Sequence, residues 1–276
     1  INERSEYVWM VDFDSDFRQA GAGTNMADSG SNFNITTAAA GTGATLPANN
    51  VKTFTLAAGA DVSSLTTGNI LSGFDLFEDK DQVEIDFLIA PSMSSRSDAT
   101  TVVNDLVTTA RSLRKDCVVV TSPARTDVVN VTNAATAVTN VVDTANTFTT
   151  SSYLFVDNNY LKVYDKYNDQ YINIAAASST AGLMAATDLN RAAWFSPAGS
   201  RRGQYLGITS IAYTPTKAQR DTLYKASVNP IANIPGAGVI LFGDKTNLSR
   251  PSAFDRINVR RLFLVLERAI SRAAEQ

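Results

Sequence analysis

Apolar and polar positions change their spacing about a quarter of the way along this chain. Residues 19 to about 73 are rich in Gly, Ala, Ser, Thr and Asn, as in Gly21-Ala22-Gly23-Thr24-Asn25 and Gly41-Thr42-Gly43. Only short β-like pieces such as Val51-Lys52-Thr53-Phe54-Thr55-Leu56 interrupt them, which predicts a loop-rich β segment at the periphery. From residue 76 onward, strand and helix periods alternate. Val83 to Ala90 begins with period-two alternation and ends as a continuous apolar run, the pattern of a strand entering a covered sheet. Val102, Val103, Leu106, Val107, Ala110 and Leu113 then fall on one helical stripe, with Ser97 or Asp98 as the expected cap and Arg111, Arg114 and Lys115 in the last turn. Cys117 to Val120 reads as a second buried strand. Strand, helix and strand in this length predict a parallel right-handed crossover.

The alternation continues. Asn133 to Thr147 carries the stripe Val138, Val141, Val142 and Ala145, and Tyr153 to Val156 is the next strand. Leu161 to Tyr164, the polar turn Lys166 to Asp169 and Tyr171 to Ile174 read as a hairpin. Its tyrosines are expected to pack laterally, since no basic cluster interleaves them to make a base-stacking platform. Helices are expected from Thr180 to about Arg191 and after Thr214 as cap with Pro215 in the first turn. Ile231 to Ile234 and Gly238 to Phe242 are two short strands joined by Pro235-Gly236. The last helix aligns Val259, Leu262, Phe263, Leu266, Ala269, Ile270 and Ala273, expected to pack on the sheet and to leave an arginine-bearing side outside. The fold class is therefore α/β (α+β): a mixed sheet with βαβ units flanked by helices, plus the loop-rich β segment. The expected division is 1–75 and 76–276.

Composition narrows the chemistry. The 276 residues contain no histidine, which removes the commonest metal ligand and every Ser-His or Cys-His nucleophile pair. The single Cys117 sits in an apolar run and reads as a small buried hydrophobe. No run of about 18 apolar residues is present to span a bilayer. Ile1 in place of Met, and an end inside a charged helical run, are read as marks of a piece of a longer protein.

Two motif matches fail on inspection. Gly238 and Gly243 fit a phosphate-loop frame, but Asp244 stands where the lysine belongs and Val239 to Phe242 is bulky and apolar. Asp12, Asp14 and Asp16 resemble the opening of a calcium loop, yet Phe17 and Gly23 occupy the positions that need Gly and Glu. No catalytic, cofactor-binding or metal-ligating set is assigned.

Charge is unevenly placed. The net of −3 conceals 14 acids against 5 bases in residues 1–100, a net of −9, and 6 arginines against 3 acids in residues 250–276, a net of +3. Opposed patches of this kind can set register between repeated subunits, while the plainer reading is a solvated surface.

Several separated blocks resemble the contractile tail sheath proteins, above all those of T-even-like bacteriophages. They are Asp116 to Pro123, Tyr164 to Asp169, Trp194 to Gly199 with Arg202-Gly203-Gln204, Ala218 to Asp221 with Leu223-Tyr224, Asn229-Pro230, Gly243 to Thr246 and Phe254 to Leu262. Together they cover roughly residues 76 to 276, with residues 1 to 75 matching only loosely. The resemblance implies a non-enzymatic virion component without cofactors, whose six-fold rings stack helically around an inner tube and contract to drive that tube through a host envelope. Its implied partners are further copies of itself, the tail tube protein, the baseplate and the tail terminator, with no nucleic acid and no direct membrane insertion. The resemblance also implies that the first 75 residues belong to an outer domain and that the family's terminal arms lie outside this chain, leaving the fragment itself monomeric. Arg256, Arg260, Arg261, Arg268 and Arg272 are the candidate assembly contacts, the other role for them being intramolecular pairing. The alternative of a different class is an α/β nucleotide-binding protein or enzyme, and a capsid or receptor-binding component shares the Ser/Thr/Asn/Gly-rich texture.

Overall fold

The computed structural model describes residues 65–274. The readings made on the glycine-rich stretch, on Val51 to Leu56 and on the three early aspartates lie outside the described residues. The chain divides into the units Ile1–Ser63 and Ser64–Gln276. Helix α1 (Thr67–Asp75) belongs to the second unit: Thr66 caps it by accepting from the Asn69 amide, and Ile70, Leu71 and Phe74 pack on the core.

A three-stranded parallel sheet lies at the centre, formed by β1 (Phe87–Ile89), β2 (Val118–Thr121) and β3 (Leu154–Val156), with Phe87 opposite Val118 and Val119 opposite Leu154. The first strand is shorter than its apolar pattern predicts. Between β1 and β2 runs α2 (Arg96–Thr108), and between β2 and β3 run α3 (Arg125–Val128) and α4 (Ala134–Thr147). Leu88, Val119, Leu154 and Val156 point to one face and meet Val102, Val103, Leu106, Val138 and Val141. Val118, Val120 and Phe155 point to the other face and meet Ala177, Ala181 and Met184 of α5 (Ala177–Asn190). Coverage on both faces is why Val118-Val119-Val120 is continuously apolar.

The α/β character read from the sequence is present, distributed over three small sheets. The hairpin of β4 (Tyr160–Asp165) and β5 (Gln170–Ala175) is joined by the short β6 (Ser210–Ile211) on the far side of β4. After α6 (Lys217–Lys225), β7 (Ile231–Ile234) and β8 (Gly238–Leu241) pair antiparallel. Gly236 and Gly238 have φ of 82° and 75°, values that only glycine adopts without strain. A 3₁₀ turn (Ala253–Asp255) leads into α7 (Ile257–Ala274). No helix among the described residues is long and apolar enough to cross a membrane.

Local corrections to the sequence reading have physical causes. The cap of α2 is Ser95, whose hydroxyl accepts from the Asp98 amide and donates to the Asp98 carboxylate at 2.7 Å. The cap of α6 is Thr216 and not Thr214, because Thr216 and Gln219 form a reciprocal capping box. Beyond α2 the chain continues as a π-helical turn, Thr109–Arg114, which takes up an extra residue and shifts its last side chains around the helix axis. Leu113 is consequently turned out, 52% exposed, and Arg114 is turned in.

Candidate assembly interface

The core joins its three sheets through polar groups. Asp157, Asn158, Asn159 and Asn229 are all fully buried. Asn158 donates to the Tyr213 hydroxyl and accepts from the Ile231 amide, tying the end of β3 to β7. Asn159 donates to the Tyr213 carbonyl and accepts from the Tyr160 amide. Asn229 donates to the Val156 and Lys245 carbonyls and accepts from the Lys245 amide. Asp157 accepts from the Asn159 amide at 3.3 Å and lies 3.4 Å from the Thr180 hydroxyl. Burial pushes its carboxyl up to about 7, against hydrogen bonds from Ser122, Asn159 and Thr180 that pull it down. No ion pair reaches it among the described residues.

The failed phosphate-loop frame is part of this knot. A side chain on Gly243 would place its Cβ 2.5 Å from the Asn229 amide oxygen, so the glycine allows a close approach of chains. The loop amide of Lys245 is taken by Asn229, and Asp244 pairs with Arg256 and accepts from Ser196 at 3.0 Å. Lys245 donates to the Tyr224 carbonyl and lies over the Tyr224 ring. Cys117 is buried, and that burial pushes its thiol up to about 12, which suits packing and not nucleophilic chemistry. Among the described residues no group of three or more His, Cys, Asp or Glu is placed to hold a metal ion.

Helix α7 departs most from expectation. Its buried residues are Ile257, Arg261 and Leu264, and the side it turns to the body carries Arg260, Arg261 and Arg268. Arg260 donates to the Ser152 hydroxyl at 2.6 Å and stacks on Tyr153 and Phe254. Arg261, almost fully buried, pairs with Asp188 and lies over Phe87. Burial lowers the Arg261 pKa and raises that of Asp188, so desolvation opposes the attraction within the pair. Arg268 reaches Asp86 at 2.7 Å and Glu84 at 3.3 Å, and donates to the Asp116 carbonyl at 2.7 Å. Arg272 binds both oxygens of Glu84 at 2.7 and 3.0 Å. Before the helix, Arg256 bridges Asp244 and the Tyr224 hydroxyl. Every one of the five candidate arginines thus has a partner within its own subunit.

The apolar stripe expected to face the sheet points the other way. Phe263, Leu266 and Ile270 are 46%, 44% and 67% exposed. Ala269 and Ala273 are exposed beside them, and Val259 and Leu262 are partly so. The helix is attached by its guanidinium groups together with Ile257 and Leu264, and presents the rest of its hydrophobic side outward, an arrangement that a monomer in water does not stabilise. Sequence reasoning assumed that the apolar side goes inward. The available signal was the pair of acids Glu84 and Asp86, placed to receive Arg268 and Arg272. The buried Asp157, Asn158 and Asn159 were missed because three polar residues between apolar strands look like a surface turn.

A subunit with a rigid α/β body and an outward-facing apolar helix belongs to the class of structural assembly components. A family model described as the phage tail sheath protein central domain matches residues 63–247. The chain belongs to the phage tail sheath protein family. It is 39% identical over 223 residues to the tail sheath protein of Enterobacteria phage T4, covering 77% of this chain and 34% of that protein. The corresponding protein of Vibrio phage KVP40 is 40% identical over 220 residues, covering 74% of this chain and 32% of the other. The chain spans roughly a third of the length of these curated relatives. Among solved structures, the helical sheath of the anti-feeding prophage in its contracted state shares the fold at a TM-score of 0.56 and 21% identity, over 76% of this chain and 51% of that one.

Proposed function

We propose that this chain is the core of a contractile tail sheath subunit, which self-assembles helically around the tail tube and contracts to drive the tube through the host envelope. The observation that carries the reading is the inverted attachment of α7: its apolar side is turned toward whatever packs on the subunit. In this reading the parent forms six-fold rings in the virion tail, contacts the tube, baseplate and tail terminator, and needs neither active site nor cofactor. Synthesis takes place in the host cytoplasm, and the segment before α1 contributes to a peripheral outer domain. The role of the arginines narrows accordingly. Arg260 and Arg261 hold the helix to its own body, whereas Arg272, whose side chain is 66% exposed, remains able to reach a neighbour without dismantling the fold.

The test is electron microscopy of the full-length parent expressed alone, beside this chain, over a range of ionic strength. Hollow striated cylinders from the parent are expected. A parent that stays monomeric at high concentration in every condition overturns the reading.

A further inference from the structure

Two exposed surfaces of this chain have opposite charge and form no ion pair among the described residues. One is a hollow of about 440 Å³ where the end of α5 meets the loop after it, lined by Thr187, Asn190, Arg191, Phe195, Arg201 and Arg202. None of its three arginines forms an ion pair among the described residues, and no carboxylate lines it. Arg202 is held in place by donation to the Ser196 carbonyl at 2.7 Å and by the Phe195 ring beneath its guanidinium. Leu189 and Trp194, 88% and 54% exposed, lie next in sequence to the lining residues and add apolar surface.

The other surface is the turn after α1. Asp75, Glu78, Asp79 and Asp81 stand there against the single Lys80, a net of −3, with Leu76 exposed among them at 74%. None of the four carboxylates is ion-paired among the described residues. The turn is nevertheless rigid. The inward-turned Arg114 donates to the carbonyls of Phe77, Asp79 and Val83 at 2.7, 3.1 and 2.6 Å, and Asp79 accepts from the Asp81 amide at 2.9 Å. A clamped backbone whose carboxylates form no ion pair among the described residues, with a protruding leucine, is preorganised to bind, so little ordering entropy opposes docking.

We propose that the Arg191, Arg201 and Arg202 hollow of one copy is a socket for the Asp75–Asp81 turn of a second copy. The inference rests on the reading of the chain as a subunit that assembles with itself, and it names a contact that this reading requires but does not specify. Carboxylates of the turn face the three guanidinium groups, and Leu76 enters against Phe195. Socket and plug are different patches, so the contact is heterologous and repeats head to tail, generating a ring or a helical filament according to the rotation per step. Its charged rim makes it sensitive to salt.

Disulfide trapping tests it, because the only native cysteine is buried. Chains carrying Leu76→Cys and Asn190→Cys are mixed under mild oxidation at low salt. A crosslinked pair is expected, with yield falling about tenfold when the socket chain also carries Arg191→Glu and Arg201→Glu, as two charge contacts are lost. Adding Asp79→Lys and Asp81→Lys to the plug chain should restore it. A yield no higher than that of a control cysteine at exposed Lys217, or one indifferent to charge reversal and to 1 M salt, overturns the contact. Cylinders formed by the parent without this crosslink remove the contact alone. The crosslink without cylinders leaves the contact and removes the sheath reading.

Discussion

Asp157→Asn should change the pH dependence of stability more than any other single substitution in this core. The carboxyl is fully buried with no ion pair among the described residues, and its pKa is raised from 3.8 to about 7. A raised carboxyl means that the folded state holds a proton which the unfolded chain has already released, so stability falls as pH rises between those values. At about 1.4 kcal/mol per pH unit the full loss is roughly 4 kcal/mol, of which about 2 kcal/mol falls between pH 5.5 and 8.5. Above about pH 8 the group contributes no further slope. Asparagine keeps an acceptor for the Asn159 amide and offers a donor to the Thr180 hydroxyl, itself bonded to Tyr205. It cannot ionise. Urea unfolding of wild type and variant from pH 5.5 to 8.5 reads the difference directly. The variant should gain on the wild type by about 2 kcal/mol across that range and be the more stable protein at pH 8.5. Parallel stability curves would refute the reasoning, since they would mean that Asp157 has the same pKa folded and unfolded.

Gly243→Ala should lower stability by roughly 2 kcal/mol or more in a thermal or urea melt, because the new Cβ meets the backbone and amide of Asn229 and neither is a free side-chain end. Arg114→Met should cost roughly 3 kcal/mol by leaving the Phe77, Asp79 and Val83 carbonyls unmatched, and should abolish hydrogen-exchange protection in residues 77–83 while β2 stays protected. Leu266→Glu with Ile270→Glu should leave the melting of this chain within about 1 kcal/mol of wild type, since both side chains face outward, yet prevent cylinder formation by the full-length parent. Unfolding of the isolated chain by that pair would show that the stripe is packed within the subunit.

Much of the fold was legible because burial on two faces writes continuous apolar strands and single-sided helices. The runs at Val118 to Val120 and Leu154 to Val156, the stripe of α4 and the Pro235-Gly236 connection all follow from local chemistry. What failed was the step from periodicity to direction. A helix wheel separates the sides of α7 but does not say which one the body receives, and here Arg260, Arg261 and Arg268 find partners within it beside Ile257 and Leu264, while Leu266 and Ile270 stay outside. The π turn was hidden for a related reason: one extra residue per turn moves Leu113 and Arg114 across the surface without altering composition. The buried Asp157, Asn158, Asn159 and Asn229 could not be recognised from spacing, since their partners come from strands distant in sequence.

The polar knot also determines how the subunit yields to load. Oily contacts let packed layers slip, because methyl groups have no preferred bearing on one another. Hydrogen bonds from Asn158, Asn159 and Asn229 prescribe angles as well as distances; those of Asn158 and Asn229 cross between the β3 and β7 sheets, and that of Asn159 ties the start of β4 to the residues after β6. Pulling on β7 therefore turns β3 and β4 with it, and shear within the body would have to break several buried bonds together. A block joined in this way transmits torque. Its compliance is left to its outer contacts, where a surface can be exchanged without anything inside having to move.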